Sequence, residues 1–428
     1  MERSPLPEIL TYQNLSLKGV LNYLNNYSPY YSQLFTENRI DISKIISIGD
    51  LSEIPLTTKK ELQLRNHDFL CVKPEKVIDY ITTSGTQGDP VTFALTENDL
   101  ERLAYNEAIS FACADSIPGD IYQLMTTMDR RFMAGLAYFL GIRKLQAGIV
   151  RAGSGLPGFQ WDTINRIKPT AFITVPSFIL KIIEFADSNG IEFRNSSIKK
   201  AVCIGESLRN EDFSLNTLGT KITAKWPLKL YSTYASTEMA TSFAECREGK
   251  GGHHHPELVI AEFLDHHGKP VNEGEPGELT ITTLGIEGMP LLRFSTGDIC
   301  RHYQDPCACG RTTLRIGPII GRKDHMIKFK GTTLYPSMLY DVLENIDYID
   351  NYLVEVSTNE LGTDQIMVRV GSKKAIYDQE NKIKDHFRSK LRVAPDICFE
   401  DTETIMKIQF PESGRKAIKF IDHRRSYS

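Results

Sequence analysis

Apolar residues recur at helical spacing over residues 8–38, where Leu17, Val20, Leu21 and Leu24 share a face until Ser28 and Pro29 interrupt the run. A helical entry segment is predicted there. The next stretch, ISIGDLSEIPLTTKKELQ, is a connector with a proline-ended turn and Thr57 or Thr58 as a helix cap, Glu61 completing a capping-box pattern with Thr58. Then a strand-like approach, YIT, runs into a loop rich in Ser, Thr and Gly, after which TENDLERLAYNEAISFACA returns to helical period behind a cap at Thr96. That order predicts a strand-loop-helix unit.

The alternation continues with IYQLMTT as strand, RRFMAGLAYFLGIRKLQ as helix and AGIVRAG as strand, then through PTAFITVPS, FILKIIEFADSNG, AVCIGESL and LKLYSTYASTE. Strands and helices in turn imply an α/β fold whose mainly parallel sheet is covered on both faces. Sites in such sheets form at strand ends, here Gly205-Glu206-Ser207 and Tyr234 to Glu238. From about residue 258 the texture becomes β-rich, with ELVIAEFLD, GELTITTL and MPLLRFSTGD joined by Gly, Pro and Asn turns. A boundary is expected near GRKDHMIKFKGTTLYP, giving a large domain over 1–321, with 258–321 as its β-rich part, and a small α+β domain over 322–428.

Length and composition fit this division. A chain of 428 residues suggests two to three domains, and 41% hydrophobic with 24% charged residues is ordinary for a globular protein. Fifty basic against 54 acidic side chains give a net charge of -4, which supplies no field for gripping nucleic acid or an anionic membrane. MERSPLPEIL lacks the basic start and apolar core of a signal peptide and no apolar run approaches membrane-spanning length, so a cytoplasmic location is expected. Of eight cysteines, Cys71, Cys113 and Cys203 sit in apolar context and read as reduced core thiols. Cys246, the histidines at 253–255, Cys307 and Cys309 differ: thiolates with one imidazole could close a tetrahedral Zn²⁺ site, although C-x-C is tighter than the usual zinc knuckle.

The loop YITTSGTQGDP carries its own chemistry. Glycines let a backbone come close to a ligand, and Thr82, Thr83, Ser84 and Thr86 add hydroxyl donors, so the segment suits phosphate oxygens as well as it suits a solvent-exposed turn. It is not a Walker loop, since Gly85 and Gly88 are only two residues apart and no lysine follows.

Taken together, TTSGTQGDP, YASTEM, RFSTGD, GRKDHMIKFKG followed by YP, and SGRKAIKFIDHR resemble, in order, the motifs of the phenylacetate-CoA ligase family of adenylate-forming enzymes, over nearly the whole chain. The resemblance implies a large adenylation domain and a small mobile C-terminal one. It also implies an AMP-forming acid-CoA ligase that activates an aryl or arylacetic acid with ATP and passes the acyl group to coenzyme A. Thr83, Ser84, Gly85, Thr86 and Gly88 would meet the phosphates; Gly205, Glu206, Ser207, Ser232, Tyr234, Ala235, Ser236 and Thr237 would surround the nucleotide; Asp298 would accept the ribose hydroxyls, and Arg322 would approach the ribose or α-phosphate. Lys416 aligns with the adenylation lysine, Glu238 with the acid that helps hold Mg²⁺, and Asp324 with the hinge. Many family members also carry EC, G-x-H and C-x-C-G-R at the places of Cys246, His253 and Cys307 to Arg311, which selects His253 for a structural zinc.

Two positions depart from the family pattern: Asp89 stands where a lysine is common, and Ser232 where an aspartate often faces the adenine amine. The segment Phe132 to Tyr138, at the acyl-pocket helix, differs enough that phenylacetate itself is not implied. Transfer to a carrier-protein thiol or an amine, or nucleotide binding without turnover, are the alternative readings. The family's dimers leave a homodimer open.

Overall fold

A computed structural model describes residues 1–83, 90–330, 332–359, 363–372, 379–410 and 417–424. The chain divides into two compact units, Met1–Pro318 and Ile319–Ser428.

The first unit begins with α1 (Leu6–Tyr27), which buries Ile9, Leu17, Leu21 and Leu24, and α2 (Pro29–Glu37), whose first turn is capped by Ser28. Thr58 and Glu61 cap α3 (Lys59–Leu64) reciprocally, the Thr58 amide donating to Glu61 Oε2 at 2.7 Å. Just upstream, Thr57 bridges in parallel to Phe294, its amide donating to the Arg293 carbonyl and its carbonyl accepting from the Ser295 amide, both at 2.9 Å.

The expected strand-loop-helix unit is corrected. β1 (Asp79–Thr82) pairs antiparallel with β2 (Thr92–Leu95), so two paired strands precede α4 (Glu97–Cys113), which follows the second of them. The apolar residues Val91, Phe93, Ala94 and Leu95 are buried; beyond the strand pairing, the Val91 amide donates to Thr83 Oγ1 at 3.0 Å and the Ala94 amide to Met289 Sδ at 3.3 Å. Thr96 caps α4 with Asp99 in a second capping box.

Nine strands form the main sheet: β3 (Ile121–Leu124), β4 (Gly148–Arg151), β5 (Ala171–Thr174), β6 (Lys200–Ile204), β7 (Lys229–Ser236), β8 (Thr241–Glu245), β9 (Gly252–His253), β13 (His302–Tyr303) and β14 (Arg315–Ile316), in the order 13-14-9-8-7-6-5-3-4. From β4 to β7 it is parallel, as expected; from β7 to β13 it is antiparallel. The reversal has a local cause: the turn between β7 and β8 is too short for a crossover, so β8 must return alongside β7. The helices interleaved with the parallel strands are α5 (Met133–Lys144), α6 (Pro157–Ile167), α7 (Pro176–Ser188) and α8 (Thr217–Lys225). Trp161, Phe172, Ile182 and Trp226 pack in the core beneath them, and each fully buried large side chain contributes about 2–3 kcal/mol. Within the β-rich part, β10 (Val259–Leu264), β11 (Gly277–Thr283) and β12 (Phe294–Cys300) run antiparallel in a separate sheet, while β13 and β14 join the main one. RFSTGD therefore lies almost wholly on β12, which begins at Phe294, later than the apolar run MPLLRF suggests.

In the second unit, short strands β15 (Gly321–Arg322), β16 (Ile327–Phe329) and β17 (Thr332–Leu334) precede α9 (Pro336–Glu344), β18 (Asn351–Thr358), β19 (Asp364–Gly371), α10 (Glu380–Leu391), β20 (Asp396–Glu400), α11 (Thr402–Gln409) and β21 (Phe420–Asp422). β20, β19, β18 and β21 make one sheet in that order, and Leu339, Val354, Val368, Ile383 and Phe387 fill its core. Arg369 is clasped between Glu355 and Glu400 on this sheet.

Candidate active site and metal centre

β7 carries the central motif and sets the geometry. Ile204, the last residue of β6, pairs with Thr233, so Gly205, Glu206 and Ser207 leave β6 beside Tyr234. Gly205 has φ +73°, a left-handed conformation that turns the chain away at the strand end. The Glu206 carboxylate is engaged with the start of α7, accepting the Ser177 amide and hydroxyl at 2.8 Å each; what Glu206 offers a ligand is therefore its backbone. Ser207 Oγ donates to the Arg209 carbonyl at 3.1 Å.

Tyr234 and Asp298 come from different sheets and meet directly. The phenol donates to Asp298 Oδ2 at 2.6 Å, joining the YASTEM and RFSTGD segments, and Asp298 is buried. Charge-assisted bonds of this kind are the stronger class. Opposite Ser242, Ala235 continues β7; Ser236 Oγ accepts the Met239 amide at 3.3 Å and the Thr237 carbonyl the Ala240 amide, closing the turn that presents Glu238. Glu238 is paired with Lys59, the first residue of α3, their side chains 12% and 28% exposed. Sequence reasoning took α3 for a connector and missed Lys59. The signal was present in the cap at Thr58 but not its destination, which depends on the bridge from Thr57 to Phe294.

Ser232 gives its amide to Glu245 Oε2 at 3.1 Å, and Arg209 forks onto the same carboxylate at 2.6 and 2.9 Å. Burial pushes the Glu245 carboxyl up, against the opposing pull of Arg209. Thr83 is buried and anchors the loop to Val91, its amide donating to the Val91 carbonyl and its hydroxyl accepting the Val91 amide, both at 3.0 Å. Ser84, Gly85, Thr86, Gly88, Asp89 and Lys416 lie outside the described residues. Arg322 and Asp324 belong to the second unit, half-buried and exposed respectively.

At the other end of β8 the four cysteine and histidine candidates converge. Cys246, His253, Cys307 and Cys309 place their donor atoms within 4.8 Å of one another, and none of the cysteines is in a disulfide. Cys246 Sγ is 3.7 Å from Cys307 Sγ, close to the ~3.8 Å edge of a tetrahedron with zinc-sulfur bonds of ~2.3 Å. Cys309 Sγ lies 3.5 Å from His253 Nε2, while His253 Nδ1 meets Thr313 Oγ1 at 3.3 Å, leaving Nε2 for a metal. Burial, then the charges of Arg311 and Arg315, push His253 down to about 3, so the ring is in its neutral, ligating form. Burial pushes the Cys246 thiol up to about 12. Burial is also the largest influence on Cys309, but hydrogen bonds from the Arg311 amide and guanidinium and from the Cys307 and Cys246 thiols together draw this thiol down. The donor set fits a closed Cys₃His site.

Residues 33–287 match the AMP-binding enzyme family. The chain is 30% identical to the phenylacetate-coenzyme A ligase of Thermus thermophilus over 83% of this chain and 80% of that protein. Against the Escherichia coli phenylacetate-coenzyme A ligase it is 26% identical over 99% and 97%. In fold it is similar to 2-hydroxyisobutyryl-CoA ligase in its post-adenylation state with 2-HIB-AMP, at TM-score 0.85 and 22% identity over 99% of this chain and 91% of that one. The architecture is thus that of the adenylate-forming enzymes. Within them, this chain belongs to the phenylacetate-CoA ligase family.

Proposed function

We propose that this AMP-forming acid-CoA ligase activates an aryl or arylacetic carboxylate, phenylacetate-like in class, using the site built on β6, β7 and β12. The observation that carries the reading is the bond from Tyr234 to Asp298, which brings two distant motifs together. A carboxylate is a poor acyl donor at neutral pH, so its oxygen attacks the α-phosphorus of ATP and the bond to pyrophosphate breaks. The acyl-adenylate formed is then attacked at its acyl carbon by the coenzyme A thiol, and AMP leaves. Asp298 accepts the ribose hydroxyls, with its carboxylate aimed by Tyr234; the backbone at Gly205 to Ser207 lines the base, and Ser232, Ala235, Ser236 and Thr237 complete that wall. Thr83 to Gly88 and Arg322 take up phosphate charge, and Lys416 supplies the cation for adenylation. Glu238 would hold Mg²⁺, which neutralises phosphate charge when bound. Relatives named as phenylacetate-CoA ligases favour coenzyme A over a carrier-protein thiol or an amine as acceptor. Zinc on Cys246, His253, Cys307 and Cys309 is structural in this reading, since four protein ligands leave no open position. The enzyme works in the cytoplasm, and a homodimer is compatible with this reading.

Carboxylate-dependent exchange of labelled pyrophosphate into ATP across aryl, arylacetic and fatty acids, followed by thioester formation with free coenzyme A, tests it. Exchange with aryl or arylacetic acids, abolished in Lys416→Ala, is the expected result. Exchange confined to fatty acids would overturn the substrate class.

A further inference from the structure

The N-terminal segment is held at four points, three of them on Glu2. Glu2 Oε2 accepts Arg311 Nε at 2.9 Å, and its Oε1 lies 3.3 Å from His255 Nδ1, close enough for charge but poorly aligned for a hydrogen bond. Its carbonyl accepts the Thr312 amide at 3.0 Å, and two residues on the Ser4 carbonyl accepts Thr312 Oγ1 at 2.6 Å. Arg311 in turn donates through Nη1 to Cys309 Sγ at 3.7 Å, and Thr313 touches His253. The carboxylate is 19% exposed and the guanidinium 9%. Each end of segment 309–313 that faces the metal cluster is therefore steadied, directly or through one residue, by residues 2–4.

From this geometry we propose that Glu2 is an outer-sphere positioning residue of the Cys₃His centre, so that metal occupancy and docking of residues 1–4 are one coupled equilibrium. The inference rests on the metal reading above. A guanidinium donating to a ligating sulfur must be aimed, and Arg311 has five donors that could point elsewhere. Glu2 fixes its Nε side and leaves Nη1 for Cys309. The coupling would be reciprocal: with Cys307 and Cys309 holding a metal, the segment between Cys309 and Thr313 would be fixed, and with it the Thr312 amide that grips Glu2. His255 extends the contact inward, its Nε2 meeting Ser110 Oγ at 2.9 Å, and Ser110 Oγ meets Ser242 Oγ of β8 at 2.7 Å. Ser242 pairs with Ala235, so the polar chain ends on β8, directly beside the strand that carries Tyr234.

The test is zinc affinity of the full chain by competition with a chromogenic chelator, for the unaltered protein, Glu2→Gln, Glu2→Ala and Cys307→Ser, with hydrogen exchange of the Thr312 amide before and after zinc removal. Outer-sphere losses of this kind weaken metal binding about 10- to 100-fold. We expect both Glu2 variants to fall in that range, and Thr312 exchange in the unaltered protein to accelerate at least about tenfold when zinc is removed. Tight zinc binding by Glu2→Ala within about twofold of the unaltered protein, with Thr312 exchange indifferent to zinc, would overturn the coupling and leave the metal reading intact. No zinc uptake by the unaltered protein, or uptake unaffected in Cys307→Ser, would remove the metal reading and the coupling with it.

Discussion

Replacing Tyr234 by phenylalanine isolates one hydrogen bond at the centre of the site. The ring stays, with its centroid 6.1 Å from that of Phe243, while the donor 2.6 Å from Asp298 Oδ2 is lost. A neutral donor on a buried charged acceptor is worth about 1.5–3 kcal/mol. Asp298 is 7% exposed, so bulk water replaces the lost donor poorly. If the carboxylate must be aimed to receive the ribose hydroxyls, the lower end of that range appears as nucleotide affinity. Because 1.4 kcal/mol is a factor of ten, the KM for ATP should rise about tenfold in the pyrophosphate-exchange assay while kcat changes by less than about threefold. Tyr234→Ala, which also removes the ring, should lose more. An ATP KM within about twofold of the unaltered enzyme for Tyr234→Phe would refute the aiming role, and equal losses for the two variants would assign the whole effect to the ring.

Lys59→Met should destabilise the protein by about 1–3 kcal/mol, between the values for exposed and buried pairs, because it strands Glu238 at 12% exposure. A double-mutant cycle with Glu238→Gln in urea should recover most of that loss as coupling; a coupling energy below about 0.5 kcal/mol would reject the pair's contribution. Glu107, buried in α4 with only Asn106 opposing its desolvation, is pushed up to about 8 from an ordinary 4.5, so the folded state binds a proton that the unfolded state releases. Its contribution to stability is thus fully present below about pH 4.5, declines as pH rises, and is exhausted above about 8. Denaturation between pH 6 and 9 should show that slope flattened in Glu107→Gln, and an unchanged slope would disprove the assignment. Stripping metal with a chelator should lower the melting temperature of the unaltered protein but not that of Cys307→Ser, measured by calorimetry; equal melting curves with and without chelator would contradict a structural ion.

What could be read from residue order was local. Thr58 with Glu61 and Thr96 with Asp99 form their caps within four residues, and Gly205 ends its strand by its own backbone freedom. What escaped sequence reasoning was non-local. The antiparallel half of the main sheet depends on β9 pairing with β14 across the whole β-rich part, and two-residue strands carry no period to detect. The pairing of β1 with β2 was masked by the polar sequence between them. Lys59 and Glu2 look like ordinary surface charges until folding brings Glu238 and Arg311 to them, 179 and 309 residues away in sequence.

The cluster of Cys246, His253, Cys307 and Cys309 also has a topological meaning. Cys246 and Cys307 are 61 residues apart, and the whole of β10, β11 and β12 is strung between them. A metal held there would close a loop that carries these three strands out from the main sheet, with β9 and β13 of that sheet at its two ends. A crosslink closing a loop of that length removes about 4 kcal/mol of chain entropy from the unfolded state, if a metal clip acts as a disulfide does. Such a clip would hold the two ends of that excursion together whatever happens along its length. Asp298 is the constraint along that length, since the excursion must still return one carboxylate to Tyr234.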